Sequence, residues 1–116
     1  MFAHDNWVKA GIEGKVAALA ARRSLKDLTV CPILTVTTQR FLDHVAALLK
    51  LKGARVAFGG KALEGHSVPS CYGAFDPTAV YVPLEEMLRT PENFKLCTTE
   101  IFGPFQVDKM DVEWFY

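Results

Sequence analysis

Residues 100–105, Glu-Ile-Phe-Gly-Pro-Phe, place one carboxylate just ahead of two aromatic rings joined by a Gly-Pro corner. A carboxylate can accept hydrogen bonds from two vicinal hydroxyls at once, which is how acids commonly hold a ribose. Phe102 could pack against the attached heterocycle, and Gly103 with Pro104 would restrict the motion of both groups. The plainer alternative is a surface acid beside two core aromatics, which is the commoner case when residue types alone are considered.

Other candidates are weaker. Cys71 in "PSCYG" and Cys97 in "KLCTTE" sit among small polar residues. A catalytic thiol needs a base or an electropositive setting, and no histidine is near Cys97 in sequence. Buried, inert thiols are expected at both positions. His4, His44 and His66 show no metal-ligand spacing with the cysteines, so no metal site is assigned. "FGGKALEG" meets neither the GxxxxGK[ST] nor the GxGxxG pattern, and Gly59-Gly60 reads as a turn.

The elements that must carry these residues follow from periodicity. Val8, Ile12, Val16, Leu19 and Ala20 recur three and four apart, predicting an amphipathic helix from Trp7 to Lys26. Asp5 or Asn6 would cap it, and Arg22, Arg23 and Lys26 would complement its C-terminal dipole. "TVCPILTVTT" reads as a linker. Thr37 or Thr38 then caps a second helix bearing Phe41, Leu42, Val45, Leu48 and Leu49, with Gly53 as its stop. Strands are predicted at 54–58 and 78–82, separated by a long connection over 61–77, with a helical turn in "LEEMLRT" and a last extended piece, "PFQV". The class is α/β: two main helices and a few strands of an incomplete sheet, whose other face and edges would want partners.

Bulk composition narrows the function. At 116 residues and 50% hydrophobic, the chain suits one domain. Thirteen basic residues balance thirteen acidic ones, so no net field draws it to nucleic acid. No apolar run reaches the roughly 20 residues of a membrane span. Three widely spaced cysteines indicate neither a disulfide framework nor a zinc knuckle and fit a reducing compartment. No targeting segment is visible, so a cytoplasmic location stays open.

The order of motifs is more telling than any one of them. "GGKALEG", "YGAFDPTAVYV", "EEMLRT" and "TTEIFGPF", in that order, resemble the NAD(P)-dependent aldehyde dehydrogenase superfamily. Residues 4–44 look most like the plant-type delta-1-pyrroline-5-carboxylate dehydrogenases, which oxidise L-glutamate γ-semialdehyde in proline catabolism. The resemblance implies that residues 1–107 form part of a catalytic domain, with 108–116 a divergent tail. It implies that Glu100 holds the nicotinamide ribose of NAD and that Phe102 packs beside the cofactor. It also implies an aldehyde substrate, a homo-oligomer or a full-length relative as partner, and the mitochondrial matrix as location. The family's nucleophilic cysteine matches no cysteine here and would fall before Met1. No catalytic residue is therefore assigned, and an internal fragment, inactive alone, is expected. The competing expectation is a truncated remnant that acts as an interaction module on a full-length relative.

Overall fold

The first apolar stripe breaks at Gly11, whose φ of 77° lies in the left-handed region that glycine enters without strain. The single helix expected over Trp7–Lys26 is thus two: α1 (Asp5–Lys9) and α2 (Ile12–Ala20). The cap of α1 is His4, whose Nδ1 accepts from the Asn6 N–H at 3.1 Å, rather than Asp5 or Asn6. Helix α2 ends at Ala20, so Arg22, Arg23 and Lys26 lie beyond its last turn. Side-chain bonding ends it: Asp27 accepts from the hydroxyls of Ser24 at 2.9 Å and Thr29 at 2.7 Å, offering the backbone a turn in place of helix. Those bonds, the Thr29 hydroxyl first, hold the Asp27 carboxyl below its ordinary range.

The computed structural model describes residues 1–112, with side chains as far as Lys109. Helix α3 (Thr38–Leu48) starts where expected, with Thr37 Oγ1 accepting from the Arg40 N–H at 3.1 Å. Strand β2 (Arg55–Phe58) ends at Gly59 and Gly60, both at positive φ; a Cβ on Gly59 would stand 2.3 Å from the Pro77 carbonyl oxygen. After the long connection come β3 (Thr78–Tyr81), α4 (Leu84–Leu88), α5 (Pro91–Thr98) and β4 (Phe105–Val112).

Two elements have no counterpart in the sequence reading. Helix α5 has Thr90 as N-cap and Pro91 in its first turn, but Cys97 is its only buried residue, too little for an apolar period to show. Strand β1 (Phe2–His4) is only three residues long and exists through parallel pairing with β4. Strand β4 also outruns "PFQV" and crosses residue 107 into the expected tail, of which 113–116 lie outside the described residues.

The sheet order is β1-β4-β3-β2, with β4 parallel to both neighbours and β2 antiparallel to β3. Side-chain alternation gives its faces opposite characters. On one face Val80, Val82 and Val107 meet Phe41, Val45 and Leu48 of α3, Met87 of α4 and Cys97 of α5. Phe41 stacks on Phe75 at 3.9 Å between centroids and meets Phe105 edge-on at 6.0 Å. The other face carries Gln106, Asp108, Tyr81 and Arg55, and α1 and α2 cross it without burying a single residue. The helices are therefore divided between the two faces, where the sequence reading had placed them on one.

Candidate functional site

The hexapeptide at 100–105 is the link from α5 to β4, and each end is fastened. At the helix end the hydroxyls of Thr98 and Thr99 bond back to the carbonyls of Phe94 and Lys95, donating at 2.8 and 2.7 Å. The Thr99 backbone is extended, φ −65° and ψ 120°, which turns the chain out of the helix. At the strand end the Thr78 N–H donates to the Pro104 carbonyl at 2.8 Å, and the Phe105 N–H to that of Gly103 at 2.7 Å.

Between these ends the side chains alternate. Ile101 enters the core at 5% exposure, while Glu100 and Phe102 on either side of it are exposed, Phe102 at 67%. The buried isoleucine anchors the link and holds its neighbours outward. Gly103 allows a close approach to the core, since a Cβ there would meet the Phe75 ring at 3.1 Å. A contact from far along the chain completes the turn: Thr35 Oγ1 donates to the Phe102 carbonyl at 2.8 Å. Thr35 lies in the stretch read as linker, 67 residues away, and no local pattern signals its role.

Glu100 and Phe102 share a cleft of about 560 Å³ with Met1, Cys97, Thr98, Thr99, Gln106 and Val107. The two residues singled out from the sequence are thus brought to one concavity, a carboxylate and a ring fixed on a short, pinned turn. Cys97 also lines this cleft, yet it is 93% covered and burial pushes its thiol up, against the opposing pull of the Lys109 ammonium. A thiol so placed is a poor nucleophile, in keeping with the inert role expected of it. The Lys109 ammonium is in turn pushed down by burial, and its Nζ donates to the Val82 carbonyl at 3.3 Å. Cys71 differs from expectation: it is exposed, because the 61–77 connection covers it with neither helix nor strand. Cys31 is exposed as well.

A second cleft, of about 520 Å³, opens where α2 crosses the sheet. Val16, Leu19 and Ala20 face Phe58, Pro104 and Gln106 across it. The acid at 100 is not part of this one, and its walls are mainly apolar.

Comparison with known proteins shows where such a segment recurs. The chain is 56% identical over 107 residues to a probable aldehyde dehydrogenase of Linum usitatissimum. It is 51% identical over the same length to the delta-1-pyrroline-5-carboxylate dehydrogenase 12A1, mitochondrial, of Arabidopsis thaliana. Each match takes in 92% of this chain and 19% of the relative, so the chain spans about a fifth of the length of the curated relatives it matches. A solved structure, described as giving insights into cofactor and substrate selection by Gox0499, superposes over 96% of this chain and 23% of its own, with a TM-score of 0.58 at 20% identity. That likeness concerns the fold: the mixed α/β arrangement with a partial sheet is part of a larger known one. No protein-family model matches the chain.

Proposed function

We propose that this chain, an aldehyde dehydrogenase relative over nearly its whole length, is part of the catalytic domain of an NAD-dependent enzyme oxidising L-glutamate γ-semialdehyde to glutamate. The observation that carries the reading is the Glu100–Phe102 pair, exposed on either side of a buried isoleucine at the mouth of one cleft. The Arabidopsis relative, named for pyrroline-carboxylate oxidation and for the mitochondrion, supports the substrate and the compartment. The match to about a fifth of each relative supports the status of a part.

The residues present fit a nucleotide ribose. A carboxylate has acceptor positions for both hydroxyls of a sugar diol, and an exposed ring beside it offers a flat apolar surface to a heterocycle. When bound, NAD supplies the acceptor for the hydride that leaves the substrate. Glu100 would bind the sugar through both carboxylate oxygens, and Phe102 would limit rotation of what is attached. The Ile101 anchor and the Gly103-Pro104 corner would keep the two in one relative orientation. Neither residue attacks the aldehyde. Their work is to hold.

Titration of the 116-residue chain with NAD, followed through backbone amide resonances, tests this. Shifts concentrated at residues 99–103 are expected. Replacing Glu100→Gln should weaken the binding about tenfold or more, since hydrogen bonds to a charged group contribute about 1.5–3 kcal/mol. Shifts that avoid residues 99–103, or a Glu100→Gln chain that binds like the parent, would overturn the assignment.

A further inference from the structure

The turn that carries Glu100 and Phe102 is built from local pieces on three sides, the threonine-closed end of α5, the Gly-Pro corner and the start of β4. Another contact comes from much farther along the chain. Thr35 Oγ1 reaches the Phe102 carbonyl at 2.8 Å from the segment between α2 and α3. That segment is itself fixed close by. The Ile33 and Gly73 backbones exchange two hydrogen bonds, at 2.8 and 2.7 Å, and Thr38 Oγ1 accepts from the Ala74 N–H at 2.9 Å. Val36 is buried at 5%. Thr35 therefore projects from a held strap and is not the tip of a free loop.

The peptide it grips joins Phe102 to Gly103 and leads from the exposed ring into the Gly-Pro corner. Within the corner the Gly103 and Pro104 carbonyls already accept from the Phe105 and Thr78 N–H groups. The Thr35 hydroxyl extends that series of ties to the Phe102 carbonyl. The Phe102 peptide is thus tied on one side by a residue that lines neither cleft, while buried Ile101 anchors the side that carries Glu100.

We propose that Thr35 is a positioning residue for the nucleotide-holding turn: its hydroxyl fixes the Phe102 peptide so that the Glu100 carboxylate and the Phe102 ring meet a ribose and its base in one geometry. The proposal rests on the ribose-holding role of Glu100 argued above. It deepens that role by naming what orders the site before a ligand arrives. Ordering in advance improves affinity by removing the entropy that binding would otherwise cost.

Two substitutions test it in the 116-residue chain. Thr35→Val keeps the shape and removes the hydroxyl, while Thr35→Ser keeps the hydroxyl. In Thr35→Val the carbonyl carbon resonance of Phe102 should shift, and the Phe105 amide, bonded to the Gly103 carbonyl, should exchange with solvent about fivefold faster. Affinity for nicotinamide mononucleotide should fall about threefold to tenfold, with the urea midpoint nearly unchanged. Thr35→Ser should restore all of these. A Thr35→Val chain that keeps parental exchange at Phe105 and parental affinity overturns the positioning role while leaving Glu100 untouched. A parent chain that binds no mononucleotide, with Thr35→Val still loosening the turn, overturns the ribose reading and with it the purpose assigned to Thr35.

Discussion

Helices α2 and α3 are of similar length, nine and eleven residues, and both carry an apolar stripe at helical spacing, yet they meet different surroundings. Helix α3 buries Phe41, Val45 and Leu48 against the sheet. Helix α2 buries nothing: Leu19 is 53% exposed, and its stripe looks across a cleft of about 520 Å³. What faces them explains this. The sheet meets α3 with valines and a phenylalanine in direct contact, whereas the stripe of α2 looks onto an open cleft whose far wall, with Phe58 and Pro104, it does not close against. A stripe therefore specifies that a helix has an apolar side, and the opposite surface decides whether that side contributes to stability.

The largest expected effect tests the contrast directly. Phe41 is fully covered and touches two other rings, so Phe41→Ala should lose about 3–5 kcal/mol of stability. Leu19→Ala should stay within about 1 kcal/mol, as befits a half-exposed position. Urea unfolding of both variants measures the difference. Equal losses would erase the distinction between the two helices.

A smaller effect sharpens the same contrast through pH. His44 sits on α3 with its ring edge-on to Phe105 at 5.5 Å, and its Nε2 is buried with no hydrogen-bond partner among the described residues. Burial, and then the Arg40 guanidinium, hold the imidazole below its ordinary value of 6.5. The folded chain thus keeps His44 neutral where the unfolded chain would protonate it. Its contribution is complete above about pH 6.5 and is lost as pH falls to the depressed folded value, below which the loss levels off. Stability measured between pH 7.5 and 5 should show this limb in the parent and lack it in His44→Leu. Persistence of the limb in the variant would assign it elsewhere.

The same physics decides how much was legible in the sequence. Local signals suffice for some features: Thr37 caps α3, and Gly59 and Gly60 turn at positive φ. Gly11 was equally visible, but one glycine in a helical pattern can be tolerated or can break it, and here it breaks it. Elements that depend on distant partners were out of reach. Strand β1 is made by pairing across the whole chain, and α5 buries only Cys97. Which face of the sheet received which helix depended on register, since Asp108 and Lys109 are neighbours buried on opposite sides. The hydroxyl of Thr35 was silent for the same reason: its partner lies 67 residues away.

The smallest effect lies at a charged tie between α2 and the sheet. Arg55 makes two parallel bonds of 2.8 Å to the Glu13 carboxylate while lying 4.8 Å over the Tyr81 ring. The guanidinium hydrogen bond holds the Glu13 carboxyl below its ordinary 4.5, with burial opposing. Its contribution is therefore complete above that value and lost as pH falls through the lowered folded one. Both side chains remain in contact with solvent, at 50% and 28% exposure, so a double-mutant cycle of Glu13→Gln and Arg55→Gln should give a coupling of only about 0.2–1 kcal/mol. About 1 M salt should shrink it further by screening. A coupling that stayed large and ignored salt would mean that water is excluded beneath α2 as thoroughly as beneath α3. The open cleft would then have to be closed in solution by a movement of α2 toward the sheet.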